Sequence, residues 1–395
     1  MSLHKKIAFS IVVLLAFALF PYFGGLIKFD GVFPSDFFDF PTTVFPSWHK
    51  KAGFSLLAFI IISVFSLFIT LVYIKPTWFG FKKVYLKNKI AKKKKQLKFP
   101  KWFWLGIVLH FTTLIILWGK FSEPKIIINF AVIPLFWGFT FILDGIVYKR
   151  TGGNSLIEKN PQGMFAVGMA SISGWLLFEY IGFFIGENWI YPKSDLVGVS
   201  QFYAYAIIGS AGLFPMLFEW YSFLNSFEKI RIRYTKGPKI SFSKNTQIII
   251  LIFGLISLFI VNFQPDIFFF VIWIAPILIV GSLLSIIGIW TPFTPIAKSG
   301  DWSYIALIAL SEVIAGFSCE MWNYFSASHN ANGVIETFNP DYWIYSIPYV
   351  NVFHIFEMPI LGYFGYLPFG IFAWLWYILF SFLLKTPTFL NKINK

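Results

Sequence analysis

A single cysteine, Cys319, and only five histidines stand in this sequence of 395 residues. One cysteine closes no intrachain disulfide and builds no thiolate metal cluster. Charge is thin as well: 13% of residues are Asp, Glu, Lys or Arg, about half the roughly 25% of a soluble domain. No Gly-rich phosphate loop, zinc-ligand spacing, nucleic-acid motif or inserted polar domain interrupts the chain. These absences exclude a soluble enzyme, a disulfide scaffold and a disordered protein.

Apolar and aromatic residues take the place of charge. The chain is 57% hydrophobic and 22% aromatic, with 52 Phe and 16 Trp, and its mean hydropathy is +0.70. Crossing a hydrocarbon core takes about 20 apolar residues. Ten runs meet that length, at roughly 7–27, 53–74, 102–119, 126–147, 164–186, 202–224, 246–263, 266–290, 303–325 and 359–384. The first follows Lys5 and Lys6 like a signal peptide, but Pro21-Tyr-Phe-Gly-Gly is not a small-x-small cleavage site, so it reads as a helix.

Charge placement then orients the chain. With the N-terminus inside, 26 of the 32 Lys and Arg lie on the inner side, leaving Lys28, Lys50, Lys51, Lys120, Lys125 and Lys193 outside. Acids reverse the bias, nine outside against three inside. The expectation is an all-α, polytopic helical bundle of ten transmembrane helices in the inner (plasma) membrane, with both termini cytoplasmic. Three segments divide it: 1–125 with three spans, 126–245 with spans four to six, and 246–395 with spans seven to ten.

Eleven Lys lie between Lys75 and Lys101, and a second basic loop runs from Glu228 to Lys244. The net charge of +14 therefore reads as topology, and as attraction of anionic headgroups to Lys82–Lys101, rather than as affinity for nucleic acid.

Six acids fall within or at the edge of spans: Asp144, Glu179, Glu219, Glu312, Glu320 and Glu357. A charge at mid-bilayer costs about 2.5–3.5 kcal/mol on insertion scales, so such groups face a bundle interior or a wet cavity. Glu179, Glu320 and Glu357 fall toward the outer face, Asp144 and Glu219 toward the inner, and Glu312 between them. Asp144 has Lys149 and Arg150 close in sequence as candidate partners. Glu312, Gly316, Glu320 and Tyr324 recur every four residues and share one helical stripe, with Asn323 beside it. Gly316 leaves room for a neighbouring helix or a substrate. The stripe reads as a packing seam, a substrate site or a proton path.

A local pattern occurs twice. Gly174-Trp-Leu-Leu-Phe-Glu179 precedes Asn188-Trp189-Ile190-Tyr191 and Leu217-Phe218-Glu219; Ala315-Gly-Phe-Ser-Cys-Glu320 precedes Tyr342-Trp343-Ile344-Tyr345 and Ile355-Phe356-Glu357. Spans five and nine have the same orientation, so the pattern suggests a parallel repeat of spans four to six and eight to ten. Chance, and the anchoring of Trp and Tyr at bilayer interfaces, are the competing explanations. His354 and Glu357, three apart, would share a helical face, and Pro359 would break a short segment entering the membrane before span ten.

The candidate site is therefore 312–370. Glu320, Glu357 and Glu179 are the candidate catalytic acids and bases, with Glu320 as proton donor. Glu312, Trp322, Asn323, Trp343, Tyr345 and His354 are the candidate substrate-binding or orienting residues. Carboxylic acids in an apolar pocket are good proton donors, and aromatic faces stabilise a developing carbocation. No cofactor is called for. A carboxylate–histidine metal centre of Glu320, His354 and Glu357 is the one metal arrangement left open.

Glu320-Met-Trp-Asn-Tyr324, Trp343-Ile-Tyr345 and Phe356-Glu-Met-Pro359 resemble, in order and type, motifs of lycopene-cyclase-type carotenoid membrane proteins. The likeness covers residues 126–225 and 266–385; a single Glu followed by Met-Pro stands where that family has an adjacent Pro-x-Glu-Glu. It implies tandem three-helix halves and acid–base chemistry on an isoprenoid. Gly300-Asp-Trp through Gly370 also resembles a group of uncharacterised bacterial polytopic membrane proteins, which implies no activity. The functional expectation is an enzyme acting on an isoprenoid or other apolar lipid. The alternatives are a proton-coupled transporter, with substrate near Glu312, and a non-catalytic subunit of a membrane complex.

Overall fold

The computed structural model describes residues 1–85, 97–330 and 335–386. Most of the Lys82–Lys101 segment expected to meet anionic headgroups lies outside the described residues. Eleven helices carry the architecture: α1 (Leu3–Lys28), α2 (Leu56–Ile74), α3 (Lys101–Trp118), α4 (Val132–Thr151), α5 (Pro161–Phe183), α6 (Val199–Ser210), α7 (Leu213–Asn225), α8 (Lys244–Ile260), α9 (Val271–Ile286), α10 (Ser303–Phe325) and α11 (Tyr366–Leu384). Among the described residues, eight helical segments are long and apolar enough to cross a membrane, counting α6 and α7 as one; α8 and α9 are apolar but shorter.

The apolar residues are distributed as a bilayer requires. Ile60, Ile61, Val64 and Phe65 of α2, Val108, Phe111 and Ile115 of α3, and Ile249, Ile252 and Phe253 of α8 are all exposed. A water-facing surface would not carry so continuous an apolar belt. The buried core lies on the central helices, with Phe178, Phe214, Phe218, Leu307, Ile308, Phe372 and Trp374 wholly enclosed.

Helix ends and breaks follow local chemistry. Ser55 and Ser243 cap α2 and α8 by accepting from Ala58 N and Thr246 N, and Asn160 caps α5 ahead of Pro161. The break between α6 and α7 is bridged by Ser171, which donates to the Ser210 carbonyl at 2.5 Å and accepts from Phe214 N at 3.0 Å. Pro21 lies inside the continuous α1, and one turn before it the Tyr180 hydroxyl donates to the Ala18 carbonyl. Backbone freed at membrane depth has to find partners of this kind.

Packing has a two-part pattern. α3 packs on α4, α4 on α7, and α7 on α10; correspondingly α8 packs on α9, α9 on α11, and α11 on α5. α5 also meets α7 and, correspondingly, α10 meets α11, which joins the two sets. The α3–α4 crossing is close because a Cβ on Gly106 would lie 2.5 Å from the Gly138 carbonyl oxygen and 3.0 Å from Ile142 N. Gly106→Ala is therefore expected to cost about 1–3 kcal/mol by overpacking against backbone. Thermal unfolding in detergent measures this; a midpoint equal to wild type would mean that the crossing yields freely.

Among the described residues, three short antiparallel pairs of strands follow α5 and α10. β1 (Trp189–Ile190) pairs with β4 (Ile344–Tyr345), β2 (Ser328–His329) with β3 (Ile335–Glu336), and β5 (His354–Ile355) with β6 (Met358–Pro359). The last pair corrects the expectation of a helical segment around His354 and Glu357. These residues belong to a hairpin turning at Phe356–Glu357, and one 3₁₀ turn, Gly362–Gly365, then leads into α11. Two apolar ladder positions flanked by turn residues form a hairpin more readily than a helix of that length.

Candidate functional site: two glutamates and a shared aromatic cavity

Each Trp-Ile-Tyr segment returns to the glutamate of the helix before it. Tyr191 donates its hydroxyl to Glu179 at 2.7 Å, and Trp189 Nε1 approaches the same carboxyl at 3.3 Å. Tyr345 donates to Glu320 at 2.6 Å, and Trp343 Nε1 lies at 3.3 Å. β1 and β4 pair Ile190 with Ile344 and Trp189 with Tyr345. This antiparallel register relates the two segments by a local two-fold centred on the isoleucines, so α5 and α10 end on the same side.

Neighbouring residues hold the strands. Asn323 grips the Trp343 backbone, donating Nδ2–H to its carbonyl at 2.8 Å and accepting its N–H at 3.1 Å. Asn188 accepts from Ser346 N through its carbonyl and from Lys51 Nζ through Oδ1, at 2.9 and 2.8 Å. Tyr191 N donates to the Thr42 carbonyl, and the His49–Asp266 contact at 2.8 Å fastens the same segment. Burial pulls the Lys51 ammonium down to about 7 despite Asp266 and Glu187, and pushes the Glu187 carboxyl up to about 8 despite its Thr42 hydrogen bond.

Glu320 receives a third donor, the Tyr366 hydroxyl at 2.6 Å. Gly316 makes this possible, because a Cβ there would sit 2.5 Å from the Tyr366 ring. The room that Gly316 leaves is thus filled by a side chain of the neighbouring α11. Glu320 is fully buried and its Oε2 has no partner among the described residues.

Between the two triads lies a cavity of about 120 Å³. Trp175, Trp189, Tyr191, Trp343, Tyr345 and Tyr366 contribute aromatic wall, so both glutamates stand one layer behind their donors. The acids that line the cavity are Glu312 and Asp341. Glu312, of α10, is 7% exposed, and no hydrogen bond from a described residue reaches its carboxyl. Asp341 precedes Tyr342-Trp343 in the connecting loop. Burial lifts its carboxyl to about 7, against the nearby Tyr205 hydroxyl, which favours the charged form.

The Asp341 shift has a testable sign. A carboxyl raised from 3.8 to about 7 contributes stability fully below its ordinary value, and that contribution is lost as pH rises through 7. Asp341→Asn is expected to flatten stability between pH 4 and about 7 and to remove one protonated-carboxyl infrared band titrating near 7. An unchanged infrared titration in the variant would place that ionisation elsewhere.

The remaining sequence candidates are dispersed. Trp322 points away from the main cavity and packs against His110 and Phe139. Glu357 sits in the hairpin turn, accepting from the Tyr342 hydroxyl and bonded to His329 at 2.7 Å. His354 is exposed on β5. Among the described residues no three of His, Cys, Asp and Glu converge as a metal would require. Asp144 does not pair with Lys149 or Arg150: it accepts from Trp102 Nε1, Ser155 Oγ and Ile157 N, while Lys149 and Arg150 lie over the rings of Phe99 and Phe227. Buried Glu219 faces Asp144.

Sequence reasoning missed Tyr366, Asp341, Trp175 and His329. Gly316 signalled that something bulky fills the notch on α10, but which residue does so depends on the crossing of α10 and α11. Asp341 lies directly before the Tyr342-Trp343 pair and was legible only as an outer-loop acid.

Comparisons with protein-family models, with curated proteins and with solved structures found no match. What the fold and site define is a helical membrane protein with an internal aromatic cavity bearing two carboxyl groups.

Proposed function

We propose that this protein is an inner-membrane enzyme of ten spans, both termini cytoplasmic, that rearranges an olefinic isoprenoid or similar apolar lipid by proton transfer. The supporting observation is the Glu312 carboxyl, which opens into an aromatic-walled cavity with no hydrogen-bond partner among the described residues. A buried carboxylate with neither donor nor counter-charge is costly, so the chemistry suited to such a group is to hold a proton and give it up.

In the proposed step the Glu312 O–H proton adds to one carbon of a C=C bond, and positive charge develops on the other. The faces of the surrounding Trp and Tyr rings stabilise that charge. The cation either loses a proton from an adjacent carbon or is first attacked by a second C=C of the same chain. Asp341, titrating near 7, takes the released proton. Atoms and electrons balance with no oxidant: the double bond moves or a ring closes, and one proton passes from Glu312 to Asp341. The two triads hold the aromatic wall in place, Glu320 and Glu179 through their Tyr and Trp donors. The Glu-then-Trp-x-Tyr order shared with lycopene-cyclase-type proteins supports the same chemistry.

The test is incubation of the purified protein in D₂O with olefinic lipids extracted from its native membrane, followed by mass spectrometry. Deuterium in one recovered lipid is expected from the wild type. Its absence for every lipid offered would overturn the reading.

A further inference from the structure

A second recess lies on the bilayer-facing side of the bundle, between α3, α4 and α10. It holds about 530 Å³ and is lined by His110, Phe111, Ile115, Phe139, Ser318 and Trp322 among others. Phe111 and Ile115 at its rim are 50% and 65% exposed, so the groove opens where a span meets lipid.

One wall is not apolar. His110, mid-length on α3, is only 3% exposed, and its Nδ1 lies 3.0 Å from the Leu135 carbonyl. A carbonyl oxygen only accepts, so Nδ1 carries the hydrogen, and in the neutral ring Nε2 is an acceptor. No described residue donates to it. An acceptor that no described residue supplies with a donor, in a groove otherwise suited to hydrocarbon, matches a long apolar chain bearing a neutral hydroxyl. An anionic headgroup would present that nitrogen with no proton.

The groove also leads inward. Trp322 forms its floor, and on its other side borders a small cavity of about 20 Å³ lined by Leu117, Asn323 and Asn339. That small cavity shares Phe136, Tyr205, Asp341 and Trp343 with the main aromatic cavity. Trp322 is thus the partition between bilayer and site.

We infer that this groove is a binding site for a long-chain lipid alcohol and is the lateral entrance through which the cavity receives its ligand. The inference rests on the reading of the cavity as a lipid site. It assigns to Trp322 and His110, which no step of the proton transfer uses, the roles of gate and hydroxyl acceptor.

The experiment uses the full chain in phosphatidylcholine proteoliposomes with a photoreactive, alkyne-tagged polyprenyl alcohol, and the same chain as its methyl ether for comparison. After illumination, labelled peptides are mapped. The wild type is expected to label at Phe111–Trp118 and Met321, and at Trp343–Tyr345, at least fivefold more with the alcohol than with the ether. His110→Phe should erase the preference for the alcohol. Ser318→Trp fills the groove, and Ile115→Trp covers its mouth from an exposed position that displaces no buried side chain; each should reduce both sets of labels. Glu312→Gln should keep the groove labels. Equal labelling by alcohol and ether, or labels spread over all lipid-facing helices, would overturn the binding site. Cavity labels that persist when groove labels are lost would overturn the entrance. Groove labels without cavity labels would count against the entrance and against the cavity reading, leaving the groove site standing.

Discussion

Glu312→Gln is expected to lower proton transfer to substrate by about 100- to 10,000-fold, the range that removal of a positioned general acid produces. The amide has the same shape and no acid proton. Glu312 makes no hydrogen bond with a described residue, so the substitution breaks none, and the unfolding midpoint should stay within about 2 °C of wild type. Deuterium incorporation from D₂O measures the first quantity and a detergent melt the second. Glu320→Gln is the informative contrast. Its amide oxygen still accepts from Tyr345 and Tyr366, so the aromatic wall stands and most of the rate should remain. Loss of activity in Glu320→Gln with retention in Glu312→Gln would exchange the roles of the two acids.

The second large effect is on stability. Glu320→Ala removes the acceptor of three donors at once: the hydroxyls of Tyr345 and Tyr366 and the indole N–H of Trp343. A buried donor left without a partner costs about 1–3 kcal/mol, so the variant should lose about 3–9 kcal/mol. That is a large share of the roughly 5–15 kcal/mol typical of a folded domain. Glu179→Ala strands two donors, Trp189 and Tyr191, and should lose about 2–6 kcal/mol. Glu320→Gln should recover most of the loss, which separates missing hydrogen bonds from missing charge. Unfolding of Glu320→Ala within about 1 kcal/mol of wild type would show that the triad does not hold the wall.

Parts of this site were legible in advance. The repeated Glu and Trp-Ile-Tyr placed four of the six triad side chains in the candidate set, because a buried glutamate needs donors and aromatic N–H and O–H groups are the ones these loops contain. Asn323 was read as an orienting group, and it grips the Trp343 backbone. The sequence places His354 in the candidate site by its spacing from Glu357, and Trp322 as an aromatic lining residue beside Glu320. His354 falls on an exposed strand, and Trp322 packs on His110 and Phe139 without lining the main cavity. Spacing specifies a face only while the helix continues, and it leaves open which neighbour that face meets.

Apolar run length and composition, read from the sequence by themselves, determined that this chain is a bundle of membrane-crossing helices, since burial in lipid depends on local hydropathy. They also led to the expectation that the acids within its spans face the bundle interior or a wet cavity, because a lone carboxylate cannot face lipid. Tertiary structure alone decided that the two Trp-Ile-Tyr segments pair across a local two-fold and that Tyr366 enters the notch of Gly316. It also decided that Glu312 and Asp341, rather than Glu320 and Glu179, line the cavity. The reason is that a cavity is bounded by residues far apart in the chain. Which of them turn inward is set by helix crossings and strand register, which no local pattern encodes.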